Sequence, residues 1–226
     1  MTTDGTGRPV QGTNERATSR RPVGRDPLNE DRGTKHMDLT TLLSTALKTR
    51  ISGIGGQGAI LLGDVLAHAG ALDGINSACS TLYGSQARGG ASKCDVILAK
   101  QNIDFPHVER PNVLIALSQE AHDGFAKDMD EPRLVLYDDY FVKNLAGPES
   151  GLTYRAVDAT TRVLDVIGSG QSANFYMLGV LVGLSQCVTL ASLEESMAKY
   201  VRKRHLDTNL KAFHLGMEAA RDEQGN

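Results

Sequence analysis

The stretch Arg50-Ile51-Ser52-Gly53-Ile54-Gly55-Gly56-Gln57-Gly58 decides the fold, and it runs directly into the apolar segment Ala59–Ala67. Its glycines follow the pattern G-x-G-x-x-G between a short strand-like lead and a helix-forming run. The pattern is typical of a strand, a tight turn and a helix, since glycine tolerates positive φ and lets a ligand or another backbone approach closely. The free N–H groups and the dipole of the first helical turn favour an anion. By itself the motif leaves two interpretations open, a bound phosphate or a tight turn whose glycines serve only packing.

A dinucleotide site makes a further demand that can be checked in the sequence. It needs an Asp or Glu about 20 residues after the glycines, at the end of the second strand, to bind the ribose. The predicted second strand is Ile75–Cys79, and no acidic residue stands at its end. Asp73 lies before this strand, at the wrong end. The sequence therefore disfavours an NAD site.

Composition excludes several classes of protein. The chain has 226 residues, a net charge of −3 and 40% hydrophobic residues, which suits a globular domain with a sizeable core. Mild acidity and the absence of Trp argue against a nucleic-acid binder. No apolar run reaches the roughly 20 residues that span a bilayer, and no apolar segment follows Arg20-Arg21 as a secretion signal requires. We therefore expect a cytoplasmic protein that binds no membrane.

The three cysteines, Cys79, Cys94 and Cys187, stand far apart in the sequence, and none belongs to a C-x-x-C motif. This spacing predicts reduced thiols without an iron–sulfur cluster or a structural zinc. We expect no metal site in this chain.

The chain divides into a polar leader and a folded domain. Residues 1–36 nearly lack large apolar side chains, which predicts a disordered leader, and residues 37–226 are expected to form the domain. Short apolar runs alternate with amphipathic ones from 50 to 170. This alternation predicts a mostly parallel, doubly wound, Rossmann-like α/β sheet with helices on both faces. The C-terminal part is predicted to be helical, with a buried helix from Asn174 and amphipathic helices at Leu193–Arg204 and Leu210–Arg221.

A second informative stretch, Thr81 to Ser92, contains Arg88 followed by Gly89 and Gly90. A guanidinium beside exposed backbone N–H groups suits a phosphate, a carboxylate or a carbonyl of another protein. The alternative is an arginine paired to an internal acid, with glycines that only form the turn. Loops at the carboxyl ends of parallel strands gather in one crevice. We therefore expect this stretch and the glycine loop to line the same edge.

Taken together, these motifs resemble the gamma subunit of 2-oxoacid:ferredoxin oxidoreductases, and most nearly its 2-oxoglutarate (KorC-like) branch. The resemblance covers about residues 48 to 220. The chain departs from the usual family pattern at Ser85-Gln86, where Pro and Glu are common, and at Ala99-Lys100. The motifs that carry the resemblance are Gly53–Gly58, Gly63, Tyr83-Gly84, Gln86–Ser92, Asp95–Ile97, Ile103–Pro106 and Asn174–Gly179.

The resemblance implies one subunit of an oxidative 2-oxoacid-cleaving complex. Thiamine diphosphate, Mg, [4Fe-4S] clusters and coenzyme A would be held on or with alpha, beta and delta (ferredoxin-like) partner subunits, and ferredoxin or a similar acceptor would take the electrons. It places no catalytic residue in this chain, whose task would be to complete the active-site region near the coenzyme A path. The candidate cofactor-binding residues are Gly53, Gly55, Gly56, Gln57, Gly58, Tyr83, Arg88, Gly89 and Gly90.

Other functions remain open at this point. The complex could act on an aryl 2-oxoacid such as phenylglyoxylate or indolepyruvate. The chain could instead be a stand-alone nucleotide-binding enzyme, which the missing ribose acid disfavours, or a non-catalytic scaffold with a Rossmann-like sheet.

Overall fold

The computed structural model describes residues 45–82, 91–131, 133–146 and 151–222. The predicted leader, 1–36, lies outside the described residues, and so do Tyr83–Gly90. None of the helices in the described ranges is long and apolar enough to cross a membrane.

In the described residues, strands and helices are interspersed from β1 to α3, and a helical segment follows. A 3-10 turn, Gly170–Ser172, precedes the fourth helix. In chain order the elements are β1 (Leu47–Gly53), α1 (Ala59–Leu72), β2 (Asn76–Leu82), β3 (Ser92–Ala99), β4 (Val113–Ala116), α2 (Gln119–Phe125), β5 (Leu134–Asp138), β6 (Thr153–Val157), α3 (Ala159–Ile167), α4 (Ala173–Ser185), α5 (Leu190–Tyr200) and α6 (Lys203–Asp222).

The described strands form one sheet in the order β2-β3-β1-β4-β5-β6. Strands β1, β4, β5 and β6 are parallel, whereas β3 is antiparallel to both of its neighbours, β1 and β2. The predicted α/β class with a mostly parallel sheet is confirmed. In the usual Rossmann order, the first two strands are neighbours. In this sheet, β3 lies between β1 and β2 and separates them.

Alternate residues of β4 and β5 enter two separate cores. On β4, Val113 and Ile115 face the larger core, while Leu114 and Ala116 face the smaller one. Helices α1, α3, α4, α5 and α6 contribute to the larger core, and α2 covers the opposite face. Since both faces are covered, the central strands read as continuous apolar runs rather than as an alternation.

The predicted helix Leu193–Arg204 is wrong at its C-terminal end. Helix α5 ends at Tyr200, because Val201 adopts an extended conformation with φ −83° and ψ 134°. Val201 is buried in the larger core, and α6 begins two residues later at Lys203. Burial of Val201 therefore determines a break that local helix propensity does not indicate.

Helices α4 and α6 approach each other unusually closely. A Cβ atom on Gly179 would lie 2.1 Å from the Phe213 carbonyl oxygen, and one on Gly216 would lie 2.1 Å from the Tyr176 carbonyl oxygen. Two glycines thus allow backbone-to-backbone contact between the helices. This contact holds the N-terminal half of α6 beside the carboxyl edge of the sheet.

A cleft at the carboxyl edge of the parallel strands

A cleft of about 820 Å³ opens at the carboxyl edge of β1, β4 and β5. Strand β1 continues into α1 on one face of the sheet, and β4 continues into α2 on the other. The cleft therefore lies where the direction of winding reverses, which is the usual ligand site of an open α/β sheet. Among its lining residues are Gly56, Gln57, Gly58, Leu117, Asp138, Phe141, Thr160, Asn174, Arg202, His205 and Asn209.

The glycine loop is held in shape by the side chain of Gln57. Its Oε1 atom accepts a hydrogen bond from the Ile54 N–H at 2.9 Å, and its Nε2 atom donates to the Leu117 carbonyl at 2.7 Å. A Cβ atom on Gly53 would lie 2.5 Å from Gln57 Oε1. The first glycine thus makes room for the glutamine that ties the loop to the end of β4.

Gly58 is the N-terminal capping residue of α1 and has φ 77°, in the left-handed region. A Cβ atom there would lie 2.5 Å from Asn174 Nδ2, so α4 packs directly against the loop. Within the described residues, no side chain caps α1. The free N–H groups in the first turn of α1 therefore lie at the cleft. Together with the helix dipole, they favour binding of an anionic group there.

Replacing Gly58 with alanine is expected to lower the free energy of unfolding by about 2 kcal/mol, because of left-handed backbone strain and crowding by Asn174. The measurement is urea unfolding of the purified chain. Gly55→Ala is the matched control, since a Cβ at Gly55 meets no atom within 4 Å, and it should be nearly neutral. Adding Asn174→Ala to Gly58→Ala should recover part of the loss. An unchanged unfolding midpoint for Gly58→Ala alone would contradict the expected strain.

Residues at the break between α5 and α6 form the opposite wall of the cleft. Arg202 and His205 line the cleft there. Next to them, buried Ser172 donates a hydrogen bond from Oγ to Asn209 Oδ1 at 2.5 Å, which joins the 3-10 turn to α6. Sequence reasoning missed these basic residues because it treated the region as one continuous helix. The run Arg202-Lys203-Arg204-His205 was the available signal.

Asp138 lies at the floor of the cleft, at the end of β5. Its carboxylate accepts hydrogen bonds from Thr160 Oγ1 at 2.5 Å and from the Tyr140 N–H at 3.1 Å. Burial raises the pKa of Asp138, and these hydrogen bonds oppose the rise. The side chain therefore joins the end of β5 to α3 and shapes the loop that carries Phe141 into the cleft.

The second predicted motif is attached at the same edge of the sheet. Ser92, the first residue of β3, pairs with Gly53 at the end of β1, and Leu82, the last residue of β2, pairs with Lys93. Leu82 and Ser92 therefore both lie at the edge of the sheet where the glycine loop begins. Tyr83, Arg88, Gly89 and Gly90 themselves lie outside the described residues, so their place in the site stays a prediction.

Asp73 has a structural role. Its Oδ2 accepts from the Thr189 N–H at 2.5 Å, while its Oδ1 accepts from Thr189 Oγ1 at 2.7 Å and from Ser192 Oγ at 2.5 Å. The carboxylate therefore supports the first turn of α5. Strand β3 also separates β2 from β1, so the usual ribose-binding position next to the glycine loop does not exist in this sheet.

Across the described part of the chain, no group of three or more His, Cys, Asp or Glu side chains could hold a metal ion. These residues do not fit the magnesium and iron–sulfur groups of the predicted complex.

Comparison with known proteins agrees with the sequence motifs. A model of the family described as "Pyruvate ferredoxin/flavodoxin oxidoreductase" matches residues 48–219. The 2-oxoglutarate synthase subunit KorC of Methanocaldococcus jannaschii is 39% identical, over 76% of this chain and 93% of that protein. The ketoisovalerate oxidoreductase subunit VorA of Methanothermobacter thermautotrophicus is 31% identical over 78% of this chain, but only 37% of VorA is matched.

A solved structure is similar over the same region. The gamma subunit of a keto/oxoacid ferredoxin oxidoreductase from Geobacter sulfurreducens superposes with a TM-score of 0.67 and 32% identity. The superposition covers 77% of this chain and 98% of the Geobacter subunit. The chain belongs to the pyruvate ferredoxin/flavodoxin oxidoreductase family. The resemblance to gamma subunits of 2-oxoacid:ferredoxin oxidoreductases, inferred from the glycine motifs, is confirmed.

Proposed function

We propose that the chain is the gamma-type subunit of a multi-subunit 2-oxoacid:acceptor oxidoreductase and that its carboxyl edge faces the catalytic partner subunits. The complex would convert a 2-oxoacid, coenzyme A and an oxidised acceptor into acyl-CoA, CO2 and the reduced acceptor. Membership of the family and the likeness to KorC and to the Geobacter gamma subunit support this assignment.

The proposal that the carboxyl edge faces the partner subunits is supported by the apolar side chains exposed at this edge. Large apolar side chains are exposed at three places there, with Ile54 41%, Leu82 60% and Phe141 44% accessible. Ile54 belongs to the glycine loop, Leu82 ends β2, and Phe141 follows β5. An edge that exposes several large apolar side chains beside a cleft suits a surface covered by another protein.

Thiamine diphosphate, magnesium and the iron–sulfur clusters are assigned to alpha, beta and delta subunits. The role assigned to this chain is to wall the region through which coenzyme A reaches the reacting carbon. The N-terminus of α1 and the basic pair Arg202 and His205 make the cleft suitable for the phosphates of coenzyme A. Arg88 is proposed as a further contact, to a cofactor phosphate, a substrate carboxylate or a partner's backbone.

The assignment is tested by purifying the complex through a tag on this chain, expressed with its neighbouring genes. We expect co-purification of iron–sulfur subunits and reduction of ferredoxin or methyl viologen that requires both coenzyme A and a 2-oxoacid. 2-Oxoglutarate is the first substrate to test because of the likeness to KorC. 2-Oxoisovalerate, pyruvate, indolepyruvate and phenylglyoxylate complete the panel. An isolated chain that is active alone would contradict the proposal.

Arg88→Ala is expected to reduce kcat/KM of the assembled complex roughly ten- to hundredfold, as the loss of a charge-assisted hydrogen bond would do. Thermal unfolding of the isolated subunit should not change. Arg110→Ala is the matched control, because Arg110 is exposed near the start of β4, at the opposite edge of the sheet. Unchanged coenzyme A and 2-oxoacid kinetics in the Arg88 variant would rule out a ligand contact.

A further inference from the structure

Two of the three cysteines, predicted as separate thiols, lie in contact. Cys79 Sγ and Cys94 Sγ are 3.2 Å apart on the neighbouring antiparallel strands β2 and β3. Cys79 pairs with Val96, and Cys94 pairs with Thr81, so the two cysteines are diagonal neighbours on one face of the sheet. A disulfide needs the sulfurs to approach to about 2.05 Å, so its formation requires a further movement of Cys79, on the edge strand β2, toward Cys94 on β3.

The two thiols differ in exposure. Cys79 is exposed on the edge strand, whereas Cys94 is fully buried. Cys94 fits beneath α1 because the helix has a glycine there, since a Cβ atom on Gly63 would lie 2.0 Å from Cys94 Sγ. A dissolved oxidant can therefore reach Cys79 directly, and it can reach Cys94 only through Cys79.

The hydrogen bond between the thiols also makes them chemically unequal. It lowers the pKa of Cys79 and raises the pKa of Cys94, against the opposing effects on Cys79 of burial and of the Asp64 carboxylate. Asp64 Oδ1 lies 3.8 Å from Cys79 Sγ. An exposed thiol next to a second, resolving thiol is the usual arrangement of a cysteine pair that responds to peroxide.

We propose that Cys79 and Cys94 are a peroxide-reactive pair that forms a reversible intramolecular disulfide. The Cys79 thiolate attacks one oxygen of hydrogen peroxide, which breaks the O–O bond, gives Cys79 sulfenic acid and releases hydroxide. The Cys94 sulfur then attacks the Cys79 sulfur, and the displaced hydroxide leaves with the Cys94 proton as water. The two thiols lose two electrons and two protons, and one peroxide becomes two waters.

The bridge would close a ring that contains the second sequence motif. Cys79 stands four residues before Tyr83, and Cys94 stands four residues after Gly90. Formation of the disulfide does not depend on the proposed function of the complex.

The test is to treat the full-length chain with hydrogen peroxide, then unfold it, alkylate the free thiols and map tryptic peptides by mass spectrometry. Arg88 and Lys93 separate the cysteines in sequence, so trypsin releases Cys79 and Cys94 on different peptides unless a disulfide joins them. We expect three alkylated cysteines before peroxide, one afterwards, and a linked Cys79–Cys94 peptide that dithiothreitol releases.

Two variants make the result specific. Cys94→Ser should abolish the linked peptide and leave a Cys79 sulfenic acid that dimedone traps. Cys187→Ser should leave the linked peptide unchanged, because Cys187 is buried elsewhere and burial raises the pKa of its thiol to about 11. Persistence of both free thiols in the peroxide-treated wild type, or a Cys79 link between two chains in place of the internal one, would overturn the proposal.

Discussion

Asp95→Ala will lower the free energy of unfolding by about 3–5 kcal/mol, the usual result of leaving one member of a buried ion pair without its partner. Arg50 on β1 and Asp95 on β3 face each other in the sheet, and both side chains are at least 96% buried. The guanidinium donates to both carboxylate oxygens at 2.6 and 2.8 Å, and also to the Val108 carbonyl at 2.8 Å. Removing the carboxylate leaves the arginine buried without its anionic partner.

Urea unfolding of the purified chain measures this loss. Asp130→Ala is the control, since Asp130 forms a 3.8 Å pair with Lys48 in which both side chains are at least 40% exposed. Exposed pairs contribute about 0–1 kcal/mol, so the control should be close to wild type. The double variant Arg50→Met/Asp95→Leu should be more stable than Asp95→Ala, because it also removes the buried guanidinium charge. Lys93, which pairs with Asp95 at 3.4 Å, loses that partner in both variants. If Asp95→Ala and Asp130→Ala lost the same free energy of unfolding, burial of an ion pair would not determine how much it contributes to stability.

The second large effect is expected at the contact between α4 and α6. Gly216→Val should lower the free energy of unfolding by about 3 kcal/mol or more, since overpacking at a rigid contact forces the backbone to shift. A Cβ atom at Gly216 would lie 2.1 Å from the Tyr176 carbonyl oxygen and 2.9 Å from its carbonyl carbon. No change of side-chain rotamer can relieve an overlap with the backbone, so the helices must separate.

Thermal and urea unfolding of Gly216→Val give the size of the effect. Gly124→Ala is the matched helical control, because a Cβ atom there meets nothing within 4 Å and alanine favours the helix by about 1 kcal/mol. It should be neutral or slightly stabilising. A Gly216 variant as stable as the control would mean that the two helices do not need this close approach.

The elements themselves could largely be predicted from the sequence. The glycine pattern at Gly53–Gly58 predicted the strand, turn and helix that the structure contains, and the apolar and amphipathic runs predicted the mostly parallel sheet. These predictions succeed because backbone conformation and burial are coded locally, by glycine, by capping residues and by the spacing of apolar side chains.

Long-range pairing could not be predicted in the same way. Arg50 and Asp95 both stand in runs that read as apolar strands, and nothing in either run indicates the other. Cys79 and Cys94 became a contacting pair only because β3 returns antiparallel beside β2. The cleft residues Arg202 and His205 reach the site because burial of Val201 interrupts a helix.

By itself, the sequence determined the class of fold, the glycine loop and the family, because each depends on residue types at fixed short spacing. Only the tertiary structure decided which residues meet: the buried ion pair, the cysteine pair, the glycine contact between α4 and α6 and the basic wall of the cleft. Strand order and helix packing set distances between residues far apart in the chain. They arise from the simultaneous burial of many side chains, which no single segment of sequence encodes.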